Sequence, residues 1–190
     1  MHALELRPPP IDPDLIDQRV FLRLEWPQFV QFLEARGDSA ANRITYLDGV
    51  LEIMSPSPSH EQIKKNLVWL IEAWAIERDV ELNGYGSWTI RQRRKKSGVE
   101  PDECYVPGPR GSRKFPDIAL EVVWTSGGLD KLAVYYRLEV PEVWVWEKGG
   151  GTRRPSGGRL FPLPMKIGSG PNTSLNHAPS RAAWMMCAGA

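Results

Sequence analysis

The chain has 190 residues, which suits one domain or one domain plus a tail. Hydrophobic residues make up 42% and charged residues 25%, as in an ordinary soluble globular chain, and the net charge of +1 excludes a whole-molecule electrostatic grip on nucleic acid, so any such grip is local. No stretch approaches the ~20 apolar residues of a membrane span, no signal-peptide pattern opens the chain, and Cys104 and Cys187 are too few for a disulfide framework or a zinc site; the expectation is a cytoplasmic protein with no membrane partner.

Residues 1–19, rich in Pro and Asp, read as an irregular lead-in. Trp26, Phe29, Phe32 and Leu33 then recur at helical spacing, with Pro27 in the first turn, which predicts a short helix over 26–36. Two β-prone runs, 43–47 and 50–54, flank Asp48-Gly49 and predict a tight hairpin. Ser59 with Gln62 makes a capping-box pattern for a long helix to about Asp79, with Ile63, Leu67, Leu70, Ile71 and Trp74 as its buried stripe. Residues 87–92 and 99–106 read as strands. The run 118–123 reads as a strand covered on both faces, 129–138 as a helix with a Leu129, Leu132, Ala133, Tyr136 stripe, and 142–146 as a last strand. The alternation implies an α/β or α+β mixed sheet flanked by helices.

All 23 acidic residues fall before residue 151, beside 19 of the 24 basic ones, whereas residues 151–190 hold five basic residues and no acid. That tail is rich in Gly, Pro and Ser and shows no helical or strand period, so 149–190 is expected to be disordered or poorly packed, with a basic nucleic-acid-binding arm as the functional alternative.

Glu121 is the oddest residue: every other side chain in 118–123 is apolar. A carboxylate there costs several kcal/mol unless it is paired or metal-bound, so a salt bridge to a nearby cation and a metal site are both open readings. If the strand around Asp102 and the strand 117–123 form an antiparallel hairpin closed by the loop 107–116, a symmetric register sets Asp102 opposite Glu121. Directly opposed residues have Cβ atoms ~4.5–5.5 Å apart, and two such carboxylates repel unless one is protonated or a cation such as Mg²⁺ joins them. A one-residue slip would send them to opposite faces. Lys131, in the first turn of the next helix, can orient water or steady developing negative charge, or can be a solvated helix lysine. His60, at the start of the long helix, can contact phosphate or water, or can pack and cap. Asp117 reads as a strand-start residue, Glu100 as an exposed strand acid or a support for the site, and Cys104 as a small buried hydrophobe. Arg91, Arg93, Arg94, Lys95 and Lys96 crowd what reads as a hairpin tip: a phosphate clamp, or charge for solubility.

These residues resemble a known group. Tyr46-Leu47-Asp48-Gly49-Val50 through Met54-Ser55-Pro56 and His60, then Val99-Glu100-Pro101-Asp102-Glu103-Cys104-Tyr105, then Phe115-Pro116-Asp117-Ile118-Ala119-Leu120-Glu121-Val122, Lys131 to Tyr135 and Val140-Pro141-Glu142-Val143-Trp144 look like the Uma2 family (DUF820), in family order over roughly 20–147. The resemblance implies a restriction-endonuclease-like domain of the PD-(D/E)xK superfamily at 20–148. It implies Asp102 and Glu121 as the motif acids holding Mg²⁺ or Mn²⁺, and nucleic acid, DNA above RNA, as partner. The position two residues after the motif acid, where the usual pattern has lysine, is Val123; Lys131 on the following helix stands in for it. Glu139 replaces the usual glycine, and from Gly149 onward the family pattern is lost, as in a truncated or frame-shifted C-terminus. The function expected is Mg²⁺-dependent phosphodiester hydrolysis by Asp102, Glu121 and Lys131, with His60 as a further candidate. A homodimer would suit cleavage of both strands of a duplex. The alternatives are a catalytically inactive DNA-binding or interaction module of the same fold and, more weakly, a two-carboxylate glycosidase.

Overall fold

The computed structural model describes residues 16–39, 41–125 and 127–147, and the backbone of 159–164. In chain order its elements are β1 (Gln18–Arg23), α1 (Trp26–Arg36), β2 (Arg43–Leu47), β3 (Val50–Ser55), α2 (Pro58–Glu77), β4 (Leu82–Gly84), β5 (Ile90–Gln92), β6 (Ser97–Val99), β7 (Glu103–Pro107), β8 (Ile118–Val123), α3 (Lys131–Leu138), β9 (Glu142–Glu147) and β10 (Arg159–Pro164). They build an α+β fold of two sheets, ordered β1-β3-β2-β6-β5 and β10-β9-β8-β7-β4. The first is antiparallel throughout; in the second, β8 and β9 run parallel, and α3 makes the crossover that a parallel pair needs.

Local chemistry sets most boundaries. Asp48 and Gly49 both take positive φ, 47° and 90°, the geometry of the tight hairpin turn expected between β2 and β3. α1 matches the predicted 26–36, and Glu25 and Gln28 close a capping box at its start. The expected cap of α2 shifts from Ser59 to Ser57, whose side chain accepts from the His60 amide at 3.2 Å. Pro58 explains the shift: its ring fixes a helical φ, and at N1 its missing N–H costs no bond. The helix ends at Glu77, and Asp79 turns to φ 51°.

The strand predicted over 99–106 is two strands in two sheets. The Glu100 amide still bonds to Ile44 in the first sheet, whereas the Asp102 amide bonds to Leu120 in the second. Between them Pro101 has no amide to offer either ladder, so the chain changes sheets there. The predicted 87–92 strand shortens to Ile90–Gln92. At the N-terminus β1 begins at Gln18, inside the expected lead-in. The tail read as lacking any strand contributes β10, antiparallel to β9; the rest of 149–190 lies outside the described residues.

Two predicted stripes are corrected. On α2 the buried side chains are His60, Ile71 and Ala75, while Leu70 is 52% exposed. Ile71 packs with Tyr105, Ile118, Leu120 and Trp144. On α3 the buried face is Val134, Tyr135 and Leu138, and Leu132 and Tyr136 are exposed. Val134, Tyr135 and Leu138 join Ile90 and Val99 of the first sheet and Ala119 and Val143 of the second in one apolar cluster, which ties α3 to both sheets.

Candidate active site

The antiparallel β7–β8 register pairs Glu103 with Leu120, Cys104 with Ala119 and Tyr105 with Ile118. Extended by one residue it sets Asp102 opposite Glu121, as the symmetric hairpin predicts. Asp102 Oδ2 accepts from the Val122 amide at 2.8 Å, so its carboxylate reaches across to the strand that carries Glu121. Both acids are buried, at 1% and 2% exposure.

Lys131 is the first residue of α3, and Asp130 caps that helix by accepting from the Ala133 amide at 3.0 Å. The Lys131 ammonium lies 2.6 Å from Glu121 Oε2, and the Tyr135 hydroxyl, one helical turn on, donates to Glu121 Oε1. A residue and its i+4 neighbour share a helix face, so α3 turns one polar edge toward the glutamate. Val123, two residues after Glu121, is 37% exposed, and the cation comes from the helix instead.

His60 is fully buried between two aspartates. Its Nε2 stands 3.1 Å from Asp102 Oδ1 and its Nδ1 3.1 Å from Asp17 Oδ2. Asp17 Oδ1 in turn accepts from the Ser57 amide at 2.9 Å. Burial alone would lower the histidine's pKa, but the hydrogen bonds and charges of Asp102 and Asp17 raise it to about 9, so the ring is an imidazolium at neutral pH. Burial would likewise raise both aspartates; His60 overrides it and holds Asp17 and Asp102 below the usual carboxylate range, aided at Asp102 by the charge of Lys131. Glu121 behaves oppositely. Burial and the charge of Asp102 outweigh the pull of Lys131 and lift its pKa to about 7, while Lys131 itself stays charged, its pKa raised by Glu121 and Asp102 against the effect of burial.

Arg43, in β2, places Nε 3.6 Å from Asp102 Oδ1 and bonds Glu61 at 3.3 Å. Arg19 of β1 binds Glu52 at 3.0 Å and the Thr125 hydroxyl at 2.9 Å. Asp17, Arg19, Arg43, Glu52 and Tyr135 are absent from the sequence-derived set. Two of them carry a readable signal: Glu52 interrupts an apolar strand as Glu121 does, and Tyr135 follows Lys131 at i+4.

The other sequence candidates separate from this cluster. Asp117 precedes β8 and pairs with Arg113 at 2.9 Å. Glu100, read by default as exposed, is buried, because Arg36 grips it with both terminal nitrogens and Thr89 donates to it at 2.7 Å. Cys104 is buried as expected, and burial pushes its thiol up to about 12. The basic run forms the β5–β6 tip, with a 3-10 turn at Arg93–Lys95. Arg91, Arg93, Arg94 and Lys96 are exposed, and Lys95 pairs at 2.8 Å with Glu139 at the C-terminal end of α3. Lys131 begins that helix, so the tip is anchored ~12 Å along α3 from the lysine.

The donor set fits a hard divalent ion. Both candidate ligands are carboxylates on adjacent strands, and Asp102 Oδ1 is buried with only cationic nitrogens facing it, His60 Nε2 at 3.1 Å and Arg43 Nε at 3.6 Å. Among the described residues no cluster of three or more His, Cys, Asp or Glu could cage a metal. Two carboxylates completed by water and substrate phosphate are the set that Mg²⁺ takes.

No described helix is long and apolar enough to cross a membrane. No curated protein matches the sequence. The family model Uma2, described as "Putative restriction endonuclease", matches residues 26–160, a span that holds His60, Asp102, Glu121 and Lys131 in place and ends inside β10. With more than half of the chain matched and the acid–acid–lysine cluster assembled, the chain belongs to the Uma2 family, whose restriction-endonuclease-like character points to a nucleic-acid substrate.

Proposed function

We propose that the protein is a metal-dependent endonuclease that hydrolyses phosphodiester bonds of DNA. The observation that carries this reading is the meeting of Asp102, Glu121 and Lys131 at one point: two carboxylates on adjacent strands, with an ammonium 2.6 Å from the second. Asp102 and Glu121 would hold Mg²⁺ or Mn²⁺, which when bound supplies Lewis-acid charge neutralisation at the phosphate. Lys131 keeps some solvent access, 19% of its side chain, so it is placed to meet a phosphoryl oxygen as charge builds on it. Tyr135 holds Glu121 in place, and the Asp17–His60 pair holds Asp102. The exposed arginines of the β5–β6 tip would contact phosphates several nucleotides from the cut, since phosphates recur every ~3.4 Å along a strand.

The test is cleavage of supercoiled plasmid and of single-stranded DNA with and without Mn²⁺. Asp102→Ala and Glu121→Ala should abolish metal-dependent cleavage with the fold intact; undiminished cleavage by both rejects the reading. A second reading, an inactive nucleic-acid-binding module, is favoured by the self-sufficiency of the cluster, in which Lys131 and Tyr135 already satisfy Glu121. That module would bind DNA and show no Mn²⁺ site that Asp102→Ala removes.

A further inference from the structure

The loop between β8 and α3 is tied at both ends to one ion pair, Arg19 with Glu52. Glu52, in the middle of β3 and 1% exposed, accepts from the Leu129 amide through Oε2 at 2.5 Å. Its Oε1 takes the Arg19 Nε hydrogen bond at 3.0 Å. The same guanidinium donates to the Thr125 hydroxyl at 2.9 Å and to the Thr125 carbonyl at 3.0 Å. Thr125 follows β8 closely and Leu129 lies two residues before Lys131, so the pair spans the connection from the strand of Glu121 to the helix of Lys131.

Gly128 shows how closely the loop is pressed onto this pair. A Cβ there would stand 2.9 Å from Glu52 Oε1, 3.1 Å from Oε2 and 3.3 Å from Arg19 Nε. The carboxylate cannot swing aside, because Arg19 and the Leu129 amide hold its two oxygens.

We propose that Glu52, acting with Arg19 through Gly128 and Leu129, is a positioning residue that fixes where the Lys131 ammonium stands over Glu121. The start of α3 is set by its lead-in, and Lys131 is the first helical residue, so a displacement of Leu129 passes to Lys131 with no helical turn between to absorb it. The geometry stands without the endonuclease reading; only the kinetic consequence rests on it. There, a displacement of ~1 Å at a group that meets the reacting phosphate costs ~10²-fold in rate.

The test uses the full chain labelled with ¹⁵N-lysine, the Lys131 ammonium signal being assigned with Lys131→Arg, in wild type, Glu52→Gln and Gly128→Ala. Circular dichroism checks each fold, and the isosteric Glu52→Gln carries the test if Gly128→Ala does not fold. Both variants should shift the Lys131 signal toward that of a solvated lysine. Both should also lower kcat for Mn²⁺-dependent cleavage, Gly128→Ala by ~10²-fold, with the Kd for DNA in Ca²⁺ unchanged within about twofold. A merely structural role would lower Tm and leave the lysine signal where it was. An unchanged Lys131 signal in folded Glu52→Gln overturns the proposal, as does a loss of DNA affinity that matches the loss in kcat. If wild type cleaves nothing, the endonuclease reading fails by itself and the Lys131 signal alone decides this inference.

Discussion

A divalent ion that binds Glu121 near neutral pH has to displace a proton. Burial and the neighbouring Asp102 charge raise the Glu121 pKa to about 7, whereas Asp102 is held low by His60 and Lys131 and is ionised throughout. If only the ionised glutamate is a ligand, apparent affinity follows its ionised fraction: ~0.1 at pH 6, ~0.5 at pH 7 and ~0.9 at pH 8. Mn²⁺ should therefore bind about tenfold more tightly at pH 8 than at pH 6, and should release ~0.9 proton per ion at pH 6 and ~0.1 at pH 8. Calorimetric titration in two buffers of different ionisation enthalpy reads both quantities. His60, with its pKa about 9, stays largely charged across that window and adds little to the count. Glu121→Gln removes the titrating group, and with it the proton release. Affinity that is flat from pH 6 to 8 in wild type, or a proton count that rises with pH, would refute the reasoning, since either would mean that the ion does not meet Glu121.

Lys131→Met keeps most of the side-chain volume and removes the cation on Glu121; it should cut Mn²⁺-dependent cleavage by ~10²–10³-fold, read by single-turnover assay, while DNA binding in Ca²⁺ persists. Folding stability should depend on the Asp17–His60–Asp102 chain with a definite sign. The histidine pKa rises on folding from 6.5 to about 9, so its contribution, roughly 3 kcal/mol, is full below pH 6.5 and lost as pH climbs through 9. The aspartate contributions are full above 3.8 and lost as pH falls through the lower folded values, and urea melts at pH 3, 6 and 9.5 in a Glu121→Gln background, which removes that residue's opposite pH dependence, should show the maximum at pH 6. Replacing Arg93, Arg94 and Lys96 together by Ala should leave kcat unchanged and flatten the log Kd against log salt slope by ~2.7, at ~0.9 per phosphate contact.

The parts of this molecule that the sequence shows are those where local chemistry and tertiary structure agree. Asp48-Gly49 turns as that dipeptide must. Glu121 stands out because a strand covered on both faces leaves an acid no solvated side, and Asp102 follows from the register of the antiparallel β7–β8 pair. Glu52 has the same outward sign, an acid among Val50, Leu51, Ile53 and Met54, yet a strand in a hairpin can turn one face to water, where an acid costs nothing. Only its partner Arg19, 33 residues earlier on a strand the lead-in concealed, shows that it is buried. The change of sheet at Glu100-Pro101-Asp102 is hidden for a related reason: two short consecutive strands with different neighbours read as one strand until the neighbours are known.

The mistaken face of α3 has a different origin. A hydrophobic stripe marks the inner side of a helix only when that side is apolar. Here the inner side carries Lys131 and Tyr135 beside Val134 and Leu138, because Glu121 would otherwise be a bare carboxylate in the core, while Leu132 and Tyr136 are turned outward. Counting apolar residues alone therefore rotates the helix toward the wrong neighbours. The displacement between the stripe and the true face measures how much polar chemistry the helix brings inward, and in α3 that chemistry is the part of the candidate site that a strand could not supply, since β8 has Val123 where a lysine would be needed.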